Sequence, residues 1–279
     1  MIVKNNVDLS KYTTFKMGGT AKKMYIPESE DELVDLINTL HPEYFLGGGS
    51  NLLINERLFE CVVNLRKFSD EIKNLGNGRF IVGASVRLQK LIKSVNELGY
   101  GGIEYLYSVP GLVGGAITMN AGRGAAYKKS IADYILSVKV YHEGKILWIN
   151  KQDCGFGYRH SIFLNSNYII LSAEFCFEKI DSDEAKKLCV ERINLCKKMQ
   201  DNSLPNFGTV FCVSDPRIMK LMMTFLFRKQ GHVRFSKKTP NWILNDSGRF
   251  QDAIRLLRRV QNIHKILKKE CRTEVVIWK

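Results

Sequence analysis

What the sequence lacks narrows its class before any motif is read. No apolar run approaches the roughly 18 residues that a membrane span needs, and the opening Met1-Ile2-Val3-Lys4-Asn5-Asn6 has no apolar signal core. Nothing there directs the chain out of the cytosol, so a cytoplasmic location without a membrane partner is expected. The seven cysteines (Cys61, Cys154, Cys176, Cys189, Cys196, Cys212 and Cys271) are odd in number and scattered, and none forms a Cys-x-x-Cys pair. That spacing argues against a disulfide framework and a zinc site; no metal is expected, and most of these thiols read as small core hydrophobes. Two phosphate-binding signatures are also missing. No Gly-x-Gly-x-x-Gly opens a helix, as a Rossmann fingerprint requires, and no Gly-Lys-Ser/Thr completes a P-loop. There is no internal repeat and no low-complexity tract.

What is present fits a globular protein. The 279 residues, 45% hydrophobic and 25% charged, suffice for one large domain or two to three small ones. With 42 basic and 28 acidic residues the chain carries +14. An anionic partner is favoured, and nucleic acid, a membrane surface and a phosphorylated small molecule all have the right sign. The basic residues gather late, in Arg255-Leu-Leu-Arg258-Arg259 and Lys265-Ile-Leu-Lys268-Lys269. There they read as the solvated face of a helix.

Glycine punctuates two places. The stretch from Tyr107 to Gly124 contains five glycines, with Pro110-Gly111 read as a turn, Gly114-Gly115 as a point of close approach, and Gly122 and Gly124 as the exit. A second cluster, Gly47-Gly48-Gly49-Ser50-Asn51, lies between the strand-like runs Tyr44-Phe45-Leu46 and Leu52-Leu53-Ile54. A strand rather than a helix on its exit side means that phosphate binding here would use a nest of backbone N–H groups. Ser29-x-x-Glu32 is a capping box ahead of the helical spacing of Leu33, Val34, Ile37 and Leu40, and Leu88, Leu91, Ile92 and Val95 mark a helix stopping near Gly99. Alternating runs at Tyr134–Tyr141 and Ile146–Ile149 flank Glu143-Gly144, a hairpin signal, and a long strand follows at 168–177. A helix then places Ala185, Leu188, Cys189 and Ile193 on one face, and a later one turns Ala253, Leu256, Leu257, Val260, Ile263 and Leu267 inward. The chain ends in a strand-like Glu274-Val275-Val276-Ile277. This mixture predicts an α+β fold of antiparallel character.

Three side chains stand out chemically. Arg159, in Gly157-Tyr158-Arg159-His160-Ser161, is either a surface charge or a bidentate clamp on a carboxylate or phosphate. Thr209, after a Pro-Asn turn and Gly208, either stabilises that turn or presents its hydroxyl to a cleft. Glu274 in a β-branched run is either a strand-edge solvent contact or a functional carboxylate.

In order along the chain, Thr13-Thr14-Phe15-x-x-Gly18-Gly19, Gly47-Gly48-Gly49-Ser50-Asn51-Leu52-Leu53, Pro110-Gly111-x-x-Gly114-Gly115-Ala116-x-x-Met119-Asn120-Ala121-Gly122, Tyr158-Arg159-x-Ser161-x-Phe163, Gly208-Thr209-x-Phe211 and Glu274-Val275 resemble one family. It is the UDP-N-acetylenolpyruvoylglucosamine reductases, flavoenzymes of peptidoglycan synthesis, and the resemblance covers nearly the full length. It implies a vanillyl-alcohol-oxidase/PCMH-type FAD-binding fold over residues 1–180, in two subdomains of about 1–62 and 63–180, and a smaller α+β substrate domain over 181–279. By the match, FAD would be held by Gly47, Gly48, Gly49, Ser50, Asn51, Leu52, Pro110, Gly111, Gly114, Gly115, Thr118 and Asn120. NADPH would reduce the FAD, and the enolpyruvyl UDP-sugar would then take hydride at C3 and a proton at C2. Thr209 would be the proton donor, Arg159 and Glu274 would stabilise the enolic intermediate, and Tyr158 and Arg159 would bind substrate. The partners implied are a UDP-sugar and NADPH, without nucleic acid, for a monomeric enzyme.

The chain departs from the family pattern on the substrate side. Thr209 replaces the usual Ser, Cys212-Val213-Ser214 replaces Lys-Asn-Pro, Thr239-Pro240 stands where a His is usual, Arg123 occupies a loop of small or aromatic residues, and Cys271-Arg272 replaces Leu-Glu. Two other readings therefore stand beside the reductase: a diverged flavoprotein acting on another nucleotide sugar in surface polysaccharide synthesis, and a non-catalytic basic binding protein.

Overall fold

The computed structural model describes residues 1–124 and 128–279, and the chain divides into two compact units. The first unit comprises Met1–Lys4, Met24–Gly48 and Cys61–Cys196; the second comprises Asn5–Lys23, Gly49–Glu60 and Lys197–Lys279.

The first unit is organised on an antiparallel five-stranded sheet in the order Lys145–Asn150, Ile135–His142, Ile169–Cys176, Arg79–Gly83, Ile72–Gly76. The hairpin at its edge turns through Glu143 (φ 47°) and Gly144 (φ 79°), both left-handed, the twist that suits a two-residue hairpin. Helix α1 (Glu30–Leu40) starts where Ser29 Oγ accepts from the Glu32 N–H at 3.2 Å and carries Glu30, Asp31 and Glu32 in its first turn, at the positive end of the helix dipole. Helix α2 (Leu88–Glu97) buries Leu88, Leu91, Ile92 and Val95 and is followed by Gly99 at φ 77°. Helix α3 (Val113–Thr118) was not apparent in the sequence, where its glycines suggested only close approach. The Val113 N–H donates to Val86 O (2.8 Å) and the Gly114 N–H to Ala84 O (3.0 Å), so neighbouring backbone supports a turn that Gly disfavours by itself. Helix α4 (Ser182–Met199) buries Ala185, Cys189 and Cys196, whereas Leu188, expected inward, is exposed. Side chains including Leu91, Val113, Ile117, Val138, Leu171 and Phe175 fill one core.

The second unit holds a four-stranded antiparallel sheet, Asn206–Thr209, Trp242–Asn245, Val233–Phe235, Lys229–Gln230, and two further pairs. Phe211–Val213 pairs antiparallel with Arg272–Thr273, and Val276–Trp278 pairs parallel with Leu52–Ile54. Helix α5 (Pro216–Met222) is capped by Asp215, whose Oδ1 accepts from the Arg217 N–H at 2.8 Å. The short helix α6 (Phe225–Arg228) precedes α7 (Phe250–Ile266). In α7, Ala253, Leu256, Leu257 and Val260 face a core with Phe15, Phe207, Phe211, Phe235 and Ile243. Leu267, expected inward, caps the helix in solvent, and His264 takes the buried place instead. Its Nε2 accepts from the Asp215 N–H (2.8 Å), which leaves the proton on Nδ1 to donate to Val260 O (2.9 Å). The ring thus closes two polar contacts that leucine could not.

Candidate active site

In the first unit the strand Tyr44–Leu46 lies parallel to Val62–Asn64 and delivers Gly47 and Gly48. Arg66, two residues beyond Asn64, turns back over this loop: Nε donates to Gly47 O and Nη2 to Gly48 O, each at 3.0 Å. Asn64 Oδ1 accepts from the Arg66 N–H at 3.1 Å and fixes the turn. Because C=O and N–H point oppositely across a planar trans peptide, anchoring these two carbonyls turns the N–H groups of Gly48 and Gly49 to the other side of the loop. A side chain on Gly47 would meet nothing within 4 Å, and one on Gly48 would come to 3.3 Å from Gly111 Cα. Gly111 therefore lies against Gly48, beside Pro110. In α3 a Cβ on Gly114 would press on Ala84 Cβ at 3.0 Å, while one on Gly115 would again meet open space. Thr118 Oγ1 donates back to Gly114 O at 2.9 Å, and Thr118 O accepts from Ser161 Oγ at 2.7 Å.

Asn120, at φ 42°, ties the end of this segment to the next: Nδ2 donates to Gly157 O (2.8 Å), and Oδ1 accepts from the Ala132 N–H (3.3 Å). Tyr158 and Arg159 form the tip of a tight turn closed by reciprocal backbone bonds between Gly157 and His160 (3.0 and 3.2 Å). Arg159 sits at φ 51°, a left-handed conformation that a long side chain rarely adopts and that functional sites tend to retain. Its guanidinium donates to Asn120 O (3.3 Å) and Gly122 O (2.9 Å) and stands 5.5 Å from the centre of the Tyr158 ring. Within electrostatic range lies Tyr105, whose buried hydroxyl has no hydrogen-bond partner among the described residues. Burial above all, then Asp133, Tyr134 and Glu104, push its pKa upward, and Arg159 pulls the other way.

In the second unit Gly49 (φ 68°) packs so closely that a Cβ would lie 2.0 Å from Tyr12 O, so glycine is required here by the protein itself. Gly49 O accepts from the Thr14 N–H (3.1 Å), and Ser50 O accepts from Thr14 Oγ1 (3.4 Å). Asn51 Nδ2 donates to Glu274 O (3.0 Å), and Asn51 O accepts from the Val276 N–H (3.0 Å), just before the parallel pairing that begins at Leu52. Glu274 occupies the break between Arg272–Thr273 and Val276–Trp278, not the inside of one strand. Its N–H donates to Val210 O at 2.7 Å, which joins it to the residue after Thr209. Thr209 is exposed and follows Gly208 at φ 78°, so its hydroxyl is open to a partner. Asn241, at φ 65°, grips the following residues: its O accepts from the Val210 N–H (3.0 Å), its Oδ1 from the Phe211 N–H (3.0 Å), and its Nδ2 donates to Phe211 O (2.7 Å).

The predicted residues thus fall into two connected sets. Gly47, Gly48, Pro110, Gly111, Gly114, Gly115, Thr118, Asn120, Tyr158 and Arg159 belong to the first unit, and Gly49, Ser50, Asn51, Leu52, Thr209 and Glu274 to the second. Gly47 and Gly115, which no packing requires, and a loop whose N–H edge is turned away from Arg66 suit a ligand bearing a diphosphate. Arg66, Tyr105 and Asn241 were not foreseen. Arg66 and Asn241 act through partners distant in sequence, and Tyr105 is set apart by burial that no motif marks.

Residues 21–150 match the family model of the FAD binding domain, and the cofactor is accordingly FAD. The UDP-N-acetylenolpyruvoylglucosamine reductase of Thermotoga sp. strain RQ2 is 31% identical over 97% of this chain and 91% of its own length. That of Petrotoga mobilis is 32% identical over 99% and 95%. The crystal structure of the UDP-N-acetylenolpyruvylglucosamine reductase from Thermus caldophilus superposes with a TM-score of 0.82 at 28% identity and covers 100% of both chains. With mixed helices and strands, an FAD-binding domain and relatives matched from end to end, the chain belongs to the UDP-N-acetylenolpyruvoylglucosamine reductase family of FAD-dependent oxidoreductases.

Proposed function

We propose that the chain reduces the enolpyruvyl group of UDP-N-acetylenolpyruvoylglucosamine to give UDP-N-acetylmuramate, with NADPH as hydride donor. The observation that carries this reading is the end-to-end similarity to reductases of that name at 31–32% identity, which spans both sets of site residues. Gly47, Gly48, Gly49, Ser50, Asn51, Leu52, Pro110, Gly111, Gly114, Gly115, Thr118 and Asn120 would hold FAD, whose diphosphate suits the N–H edge opposite Arg66 and the open glycines described above. Bound FAD supplies the hydride chemistry, as a cofactor does, and the protein supplies orientation and charge.

As C3 of the enolpyruvyl group gains hydride, negative charge moves toward the substrate carboxylate. Arg159 places a permanent positive charge there and lowers the barrier where charge develops. Its two bonds to backbone carbonyls limit the reorientation needed. Tyr158, on the same turn, lines the substrate. Thr209 gives its Oγ proton to C2; a hydroxyl is a weak acid, but an enolate is a strong enough base to take it. The methyl group that distinguishes Thr from the usual Ser leaves this capacity intact. Glu274 assists in stabilising the enolic species. Residues 181–279 bind the substrate and 1–180 the flavin; this divides labour along the sequence, whereas the compact units interleave it. The enzyme works as a cytoplasmic monomer.

The test separates the two half-reactions. NADPH should bleach the flavin band at about 450 nm, and the enolpyruvyl UDP-sugar should restore it. Thr209→Ala should leave bleaching intact and slow restoration at least about 100-fold, the scale of a lost general acid. Equal losses in both steps would refute the role of Thr209, and restoration only by a different nucleotide sugar would refute the substrate.

A further inference from the structure

The net charge is not spread over the molecule. The second unit contains 23 Lys and Arg against 9 Asp and Glu, which is +14, and the first contains 19 of each. The same second unit exposes aliphatic side chains to an unusual degree: Leu226 at 82%, Ile266 at 77% and Leu267 at 55%. Ile266 and Leu267 stand between Lys265 and Lys268-Lys269, all of them exposed, and Leu226 is followed by Arg228 and the exposed Lys229. Arg255, Arg258 and Lys265 continue the basic stripe along the solvent side of α7, and Lys269 follows beyond its end.

Contacts tie together the segments that carry these side chains. Arg259 of α7 donates to Phe227 O (2.6 Å) and Lys229 O (3.3 Å), and Phe227 and Ile263 pack on the same core, so α6 rests against the side of α7 that carries Arg259 and Ile263. Ile266 lies seven residues after Arg259, hence two turns on and on the same side, roughly 10 Å along the axis. Leu226 and Ile266 therefore sit on adjoining segments, an apolar tip flanked in sequence by cations.

We propose that this tip docks the protein on an anionic lipid bilayer. Lys and Arg near an anionic surface are attracted by its potential, and exposed aliphatic groups gain by entering the boundary between headgroups and acyl chains. Lysine stems beside them add apolar length while keeping their ammonium groups at the headgroups. Nucleic acid would match the charge but not the tip. Proteins that bind single strands stack bases on aromatic rings, and every exposed large hydrophobic residue described in this unit is aliphatic: Leu58, Met199, Leu221, Leu226, Ile266 and Leu267. No helix among the described residues is long and apolar enough to cross a membrane, so the association is a surface one. This departs from the expectation of no membrane partner, which rested on the absence of a span and of a signal.

The test is sedimentation of the full-length, flavin-loaded protein with vesicles of phosphatidylcholine alone or mixed with phosphatidylglycerol, at low and high sodium chloride. Binding to the anionic vesicles only, and release by salt, is expected. The pair Leu226→Ser and Ile266→Ser keeps every charge and removes the apolar tip; Lys265→Gln, Lys268→Gln and Lys269→Gln does the reverse. Each set should weaken binding at least about tenfold while the thermal transition in solution stays in place. Should the serine pair misfold, the surface lysine set and Ile266→Ser alone still decide the question. Three results overturn the proposal: no phosphatidylglycerol-dependent binding at low salt, binding that the serine substitutions leave unchanged, or tighter binding to duplex DNA than to the vesicles.

Discussion

At the scale of single residues, Arg66 does what no motif announces. Its guanidinium spans two successive carbonyls, Gly47 O and Gly48 O, and so sets two peptide planes at once. Arg66→Met should leave the loop free to rotate those planes and weaken FAD retention about tenfold or more, the scale of two lost charge-assisted bonds. Arg66→Lys should recover only part of it, because an ammonium on a flexible stem does not reproduce a planar fork. The readout is the FAD dissociation constant from titration of the apoprotein. Equal retention in all three proteins would mean that the strand pairing of Tyr44–Leu46 with Val62–Asn64 holds the loop unaided. The glycines this arginine serves were legible in the sequence because a missing side chain is visible there. Arg66 was not, since it lies 18 positions from Gly48 and only the parallel pairing of the two strands brings it back. Tyr105 was illegible for a related reason: nothing in sequence marks a hydroxyl that burial leaves without a partner.

At the scale of elements, short-range chemistry was readable and long-range support was not. Glu143-Gly144 made its hairpin, Gly99 followed its helix, and Leu52-Leu53-Ile54 left the Gly47–Gly49 cluster as a strand, all through local backbone preference. Helix α3 escaped because its two glycines oppose helix, and bonds to Val86 and Ala84 supply what propensity withholds. Leu188 and Leu267 fit the helical period yet lie outside, since a period says which residues share a face and not where the neighbouring packing ends. Glu274 was placed within a strand, and the chain instead breaks there to let its N–H reach Val210 O. The strand after Thr209, Phe211–Val213, pairs with Arg272–Thr273 and is held at its start by Asn241, whose left-handed backbone makes three bonds to Val210 and Phe211. Asn241→Ala removes both side-chain bonds to a buried Phe211 and places alanine at φ 65°. A loss of about 2–4 kcal/mol in unfolding free energy is expected. Asn241→Asp, which keeps the acceptor and drops the donor, should fall between. Denaturant melts of the three proteins check this, and a loss well under about 1 kcal/mol for alanine would show that pairing with Arg272–Thr273 suffices.

At the scale of the whole molecule, an excess of 14 positive charges confined to one compact unit is felt beyond any single contact. A UDP-sugar and NADPH are polyanions, and a field of that sign raises the frequency of productive encounter more than the strength of the bound complex. Salt shortens its reach: the screening length is about 10 Å at 0.1 M and about 3 Å at 1 M. The proposed reductase should therefore lose kcat/KM severalfold for the UDP-sugar as sodium chloride rises across that range, while kcat at saturating substrate holds. A flat kcat/KM would mean that the surface charge does not reach the incoming substrate, and a falling kcat would mean that ions disturb the bound state instead. The same titration on the protein with Lys265, Lys268 and Lys269 changed to Gln separates steering from lipid docking. Those substitutions take away three of the 14 net charges at the apolar tip. They should abolish most vesicle binding yet shift the kinetic salt curve only slightly, because steering depends on the summed field and docking depends on the cations that surround Ile266.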